Sequence, residues 1–159
     1  MKRAVFSGMV FWLMLTGFFM ISACSKDDDT AEQQAKKDEQ IIKDYLAENG
    51  IEAQRDESGL YYVITKVGSG SQPTSNSRVE VNYKGYLVDG TVFDETTQGA
   101  VTFNLQGLIE GWKIGIPLLK EGGTGTFFVP SALGYGPNPV GPIPANSVLI
   151  FEIGLVTVF

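Results

Sequence analysis

Tyr83, Phe93, Asp94 and Trp112 fall within one stretch, residues 79–112, and their types and spacing suit them to act together. Val79, Val81 and Tyr83 alternate with Glu80, Asn82 and Lys84, the period of a strand with one apolar face, so Tyr83 is expected to point inward. Asp89-Gly90 reads as a hairpin turn that brings Phe93-Asp94 back beside Tyr83. Leu108, Ile109 and Trp112 then open a short helix whose apolar side faces the same region. The product is an aromatic bowl with one carboxylate at its rim. No histidine occurs among the 159 residues, which excludes an imidazole base, a Ser-His-Asp or Cys-His nucleophile and a histidine metal site. What remains is chemistry by shape, rings and hydrogen bonds.

The elements that must hold this bowl are short. Hydrophobic residues make up 43% of the chain and aromatic residues 11%, enough for a core, and 19 glycines with 7 prolines among short apolar runs point to many turns and hence many strands. Residues 60–67 read as the first strand, ended by Gly68-Ser69-Gly70, and polar residues 71–77 as a loop. After the central stretch, Gly122-Gly123 is a turn and residues 124–129 a strand stopped by Pro130. In the last strand Leu149, Phe151, Ile153 and Leu155 alternate with Ile150, Glu152, Gly154 and Val156, a nearly all-apolar run that predicts mid-sheet burial with Phe151 on the helix side. About five antiparallel strands curling around one short helix make an α+β fold. Between the last two strands lies a proline- and glycine-rich loop, 131–147, in which Tyr135 and Ile143 stand out. Tyr135 is either a tyrosine packed by its prolines or a hydroxyl donor at the pocket's lip.

At the N-terminus Lys2-Arg3 precede an apolar run, 4–23, the pattern of a secretory leader. A run of about 20 apolar residues is also long enough to be an uncleaved membrane anchor. Cys24, the single cysteine, rules out an internal disulfide, and Ile21-Ser22-Ala23-Cys24 resembles the bacterial lipobox, in which the cysteine becomes the lipidated first residue. That resemblance implies a membrane partner through Cys24 and a place in the cell envelope. Loss of Lys2 and Arg3 with the leader leaves ten basic residues against eighteen acidic, a formal charge of −8, which offers no footprint for nucleic acid. The run Ser25-Lys26-Asp27-Asp28-Asp29 reads as a solvated tether, too crowded with like charge to fold; it also resembles the surface-export signal of some Gram-negative lipoproteins. Thr30 and Gln33 form a capping-box pattern for a helix over 31–48, stopped by Asn49-Gly50. Its apolar stripe, Ile41, Ile42, Tyr45 and Leu46, docks only the last turns and is too short for a coiled-coil dimer, so the chain is expected to be a monomer. The expected division is 1–23 leader, 24–58 tether and helical arm, and 59–159 folded domain, with Gly59 as its door.

Four segments, NYKGYLVDGTVFDET, LIEGWKIG, VPSALGYG and IPANSVLIFEIGLV, follow in order and spacing the pattern of FKBP-type peptidyl-prolyl isomerases, and the resemblance covers residues 59–159. It implies an isomerase of X-Pro bonds that uses no cofactor, acts on proline-containing polypeptides and is a target for macrolide inhibitors. By the same resemblance Trp112 is the floor for the proline ring, and Tyr83, Phe93, Leu108, Ile109 and Phe151 are walls. The Tyr135 hydroxyl and the Ile109 N–H resemble the donors to substrate carbonyls. Asp94 is similar to the carboxylate that orients Tyr83, and Ile143 to an apolar lip. Two departures bear on peptide preference. Val101, with Phe103 two residues on, stands where the family often has an aromatic wall, which is expected to widen the pocket, and the loop after Tyr135 is a residue short and lacks the histidine of some members.

Elementary chemistry agrees with the assignment. An X-Pro bond exchanges isomers over a barrier of about 20 kcal/mol because amide resonance must be broken, and no bond is made or cleaved. The planar amide is the more polar state, so a dry aromatic cup disfavours it relative to the twisted one. Two other readings stay open from sequence: a peptide-binding holdase whose catalysis is incidental, and a lipoprotein using an inactive fold of this kind to bind another ligand.

Overall fold

Residues 26–159 are described in this computed structural model, and the apolar run 4–23 and Cys24, expected to be a leader and its lipidation point, lie outside them. Helix α1 spans Lys26–Glu48 and so takes in the acidic run that was expected to remain a tether. Aspartate is a favourable residue type in a first helical turn, where the aligned peptide dipoles are positive, and this preference opposes the crowding of like charge. At its other end α1 stops where Asn49-Gly50 predicts. Ile51 N–H reaches back to the Leu46 carbonyl at 2.8 Å around Gly50, whose φ is +62°, so the last carbonyls are satisfied.

Seven strands follow: β1 (Gln54–Arg55), β2 (Tyr61–Lys66), β3 (Arg78–Leu87), β4 (Val92–Glu95), β5 (Val101–Asn104), β6 (Thr124–Val129) and β7 (Leu149–Val158). All pairings are antiparallel in the order β1-β2-β6-β7-β3-β4; β5 pairs the first half of β3 and β4 its second half. A short helix, α2 (Glu110–Gly115), packs on one face. The α+β architecture is the predicted one, with seven strands in place of about five. The two additions are β1, a pair of exposed residues, and β5, a short strand without a buried residue; each owes its strand conformation to its neighbour rather than to an apolar pattern. The sheet therefore begins at Gln54, ahead of the expected door at Gly59.

Both faces of the central strands are covered. Phe127, Val129, Leu149 and Phe151 pack with Trp112 and Ile116 on one face, while Phe128 and Ile150 pack with Ile42 and Leu46 of α1 on the other. Strand alternation sends adjacent residues to opposite sides, so the apolar run of β7 is explained by two covers rather than one. Helix α2 lies very close to the sheet. A Cβ on Gly111 would fall 2.5 Å from Val129 Cγ1, and one on Gly115 2.7 Å from Phe127 Cδ1, distances no real side chain tolerates.

Docking of α1 makes a direct prediction. Ile42 is 1% exposed and its neighbour Ile41 is 39% exposed. Ile42→Ala is expected to lower the unfolding free energy by about 2–5 kcal/mol, and Ile41→Ala by less than about 1 kcal/mol, in urea titrations. Equal costs would show that the arm does not belong to the cooperative fold.

Candidate functional site

The hollow is built around a ring that lies in the floor. Trp112 follows the N-terminus of α2 by two positions, and the glycines at 111 and 115 let the helix sink until the indole meets β3 and β7. Three rings stand nearly upright against it: Tyr83 at 5.1 Å between centroids and 81°, Phe103 at 5.7 Å and 87°, and Phe151 at 5.4 Å and 89°. Edge-to-face packing of this kind favours the quadrupoles and fixes the ring planes, so the indole is a floor and its neighbours are walls. Phe93 extends the wall through Phe151 at 5.5 Å and 81°. Gly85 makes room for that pair: a Cβ there would lie 2.5 Å from Phe93 Cε2 and 2.9 Å from Phe151 Cε1.

The hollow has a volume of about 370 Å³, of the size that takes one apolar ring and a short peptide flank. Leu108 and Ile109 close one side and Ile143 the other. The lip is a small reverse turn in which Val140 and Ile143 exchange backbone hydrogen bonds at 3.0 and 2.9 Å, and Gly141 and Pro142 at its tip also face the hollow. Of these lining residues Val140, Gly141, Pro142 and Gly107 were missed from sequence. The signal was a Val-Gly-Pro-Ile turn in a loop read only as stiff.

Polar groups are few, and each has a defined state. Tyr83 donates its hydroxyl to Asp94 Oδ2 at 2.6 Å, an arrangement set by β3–β4 pairing, which places Gly85 opposite Asp94. Thr96 N–H is bonded to the Tyr83 carbonyl, which leaves the Asp94 carboxylate to the Tyr83 hydroxyl. Among the described residues the Tyr135 hydroxyl makes no hydrogen bond, and neither does the N–H of Ile109, the cap residue of α2. Both line the hollow as unclaimed donors. The indole Nε1 of Trp112 is likewise buried without a partner among the described residues, and Trp112 as a whole is only 6% exposed. An unpaired buried N–H costs about 1–3 kcal/mol, and such groups concentrate at sites.

The residues singled out from sequence for the pocket therefore meet at one place, with one exception. Val101 is 42% exposed and does not line the hollow. It shares the face of Phe103 on β5, paired with Val81 as Phe103 is with Val79, but a valine at the start of this short strand does not reach the cavity. Phe103 forms the wall on that strand.

Fold and site together define a class: a small antiparallel sheet that presents a ring-floored pocket with hydrogen-bond donors at its edge. Comparison with known proteins agrees. The family described as FKBP-type peptidyl-prolyl cis-trans isomerase matches residues 69–156. The chain is 42% identical over 139 residues to a probable FKBP-type peptidyl-prolyl cis-trans isomerase FkpA of Neisseria meningitidis serogroup B, covering 86% of this chain and 50% of that protein. It is 44% identical over 104 residues to outer membrane protein MIP of Legionella longbeachae, covering 64% of this chain and 45% of that one. A crystal structure of a peptidyl-prolyl cis-trans isomerase from Pseudomonas syringae pv. tomato superposes with a TM-score of 0.70 at 31% identity, over 80% of this chain and 94% of the other. The chain belongs to the FKBP-type peptidyl-prolyl cis-trans isomerase family. It spans about half the length of the curated relatives it matches.

Both phenols of the site are held protonated. Burial raises the pKa of Tyr83, reinforced by its bond to Asp94, and burial followed by the nearby Asp94 charge raises that of Tyr135. A raised phenol pKa keeps the donor proton to higher pH, so both hydroxyls are expected to ionise only above the usual value of about 10, read by carbon NMR of labelled tyrosine. Asp94→Asn is expected to bring both down. Ionisation of Tyr135 below the usual phenol value would contradict the geometry.

Proposed function

We propose that this chain catalyses cis–trans isomerisation of X-Pro bonds in exported or envelope polypeptides. The observation that carries the proposal is the flat indole of Trp112 under a hollow walled by upright rings, with two unclaimed donors at its edge. The proline ring sits on the indole, and the apolar walls strip water from the amide. Resonance separates charge between the amide oxygen and nitrogen in the planar state, and twisting removes that separation, so the dry cup costs the ground state more than the transition state. The Tyr135 hydroxyl and the Ile109 N–H hold the carbonyls that flank the bond, which fixes the peptide while the amide turns. Asp94 anchors Tyr83 and keeps a carboxylate at the rim. No covalent or acid–base step is needed: a thousandfold acceleration corresponds to only about 4 kcal/mol of differential stabilisation.

In this reading residues 1–23 are a leader and 59–159 the isomerase domain, with 24–58 joining the domain to a lipidated Cys24 at an envelope membrane. The lipobox-like Ile21-Ser22-Ala23-Cys24 supports that anchor, and one relative carries the name of an outer membrane protein.

A protease-coupled assay on a proline-containing peptide tests the activity. Asp94→Val and Tyr135→Phe are expected to lower kcat/KM by about tenfold with little change in unfolding free energy, whereas Trp112→Ala loses activity and about 3–5 kcal/mol of stability. An unchanged rate in Asp94→Val would remove that carboxylate from the mechanism, and a wild-type chain without acceleration would overturn the proposal.

A further inference from the structure

Asp38 projects from α1 into the body of the protein, a turn ahead of the apolar stripe, and is fully buried. Its Oδ2 accepts two hydrogen bonds from one residue of the site loop, the Ser131 N–H at 2.8 Å and the Ser131 hydroxyl at 2.6 Å, and its Oδ1 accepts from Gln34 Nε2 at 2.7 Å. None of the described ion pairs includes Asp38. A buried carboxyl without a cation is an expensive way to attach a helix, and an apolar residue would attach it at lower cost. What an apolar residue cannot do is accept an N–H and a hydroxyl together and so fix how Ser131 is turned.

That orientation passes directly to the site. The Ser131 carbonyl accepts from Gly134 N–H at 3.0 Å and Gly136 N–H at 2.8 Å, the residues on either side of Tyr135. The Gly136 carbonyl then accepts from Asn146 N–H at 2.8 Å, which ties the far end of the loop to the same point. Asn146 has φ +56°, the one positive φ of a non-glycine among the described residues and a region that asparagine enters readily, so the loop turns back at that point.

We infer that Asp38 is a positioning residue for the isomerase reaction, acting through Ser131 to hold the Tyr135 hydroxyl over the hollow, so that the arm is part of the site rather than only a spacer. The inference rests on the isomerase reading above. Removing the tether lets the turn at 134–136 open, which misplaces a donor while leaving the Trp112 floor in position, and displacement of a positioned group by about 1 Å can cost up to a hundredfold in rate.

The test uses Asp38→Leu, the milder Ser131→Ala and the conservative Asp38→Asn in the full chain. Asp38→Leu is expected to lower kcat/KM about tenfold and Ser131→Ala about threefold, with Asp38→Asn restoring the rate to within about twofold. Amide hydrogen exchange at Gly134 and Gly136 should accelerate about tenfold in Asp38→Leu while that of Trp112 stays within about twofold of wild type. Combined with Tyr135→Phe, Asp38→Leu should add little further loss, because both changes remove one interaction. Fully additive losses, exchange that rises evenly across the chain, or an unchanged kcat/KM in folded Asp38→Leu and Ser131→Ala each overturn the inference. If Asp38→Leu does not fold, Ser131→Ala decides by the same two readouts. Absence of isomerase activity in the wild type sinks the isomerase reading, whereas the exchange at Gly136 reports on the tether by itself.

Discussion

The indole of Trp112 is held in place by contact from every side but one. Beneath it, Gly111 and Gly115 present no side chain to Val129 and Phe127, so α2 lies directly on β6 and the ring it carries is pressed against β3 and β7. Around it, Tyr83, Phe103 and Phe151 meet the indole edge to face. Each such pair is worth about 0.5–1.5 kcal/mol beyond its buried area, enough together to offset an unpaired indole N–H and to leave one ring orientation. The open side is the pocket. Everything else in the domain serves to keep that ring flat and that side empty: Gly85 admits the Phe93–Phe151 pair, the Val140–Ile143 turn makes the lip, and the Tyr83–Asp94 bond locks the rim.

The same sheet is used twice. Odd and even residues of β6 and β7 serve separate cores, Phe127 and Phe151 toward the hollow, Phe128 and Ile150 toward α1. Rigidity behind the site therefore comes from the arm as well as from the domain. A catalyst that works by shape depends on this more than one that works by a nucleophile, because a wall that yields by a fraction of an ångström stops favouring the twisted amide over the planar one.

Much of this arrangement was legible in the sequence because its signals were local. Tyr83 was placed inward by strand alternation, and the Asp89-Gly90 turn brought Asp94 to it. The residues missed or misjudged depend on what the chain meets elsewhere. Arg55 and Val101 become strand residues only when β2 and β3 arrive to pair with them, and Val101 lies on the expected face but is too short to reach the hollow. The acidic run before Thr30 was read by its charge as a tether, whereas its backbone continues α1. Nothing local in the sequence sets Asp38 apart from the other acids of α1; only the tertiary partner Ser131 distinguishes it.

The central physical claim is that a proline ring rests on the Trp112 indole in a water-poor cup. A crystal structure with a bound proline-containing peptide addresses it most directly. The account predicts the pyrrolidine ring stacked on the indole at van der Waals distance, about 4 Å, with a peptide carbonyl on the Tyr135 hydroxyl or the Ile109 N–H. A peptide bound elsewhere on the sheet, or one whose proline lies outside the hollow, would contradict it.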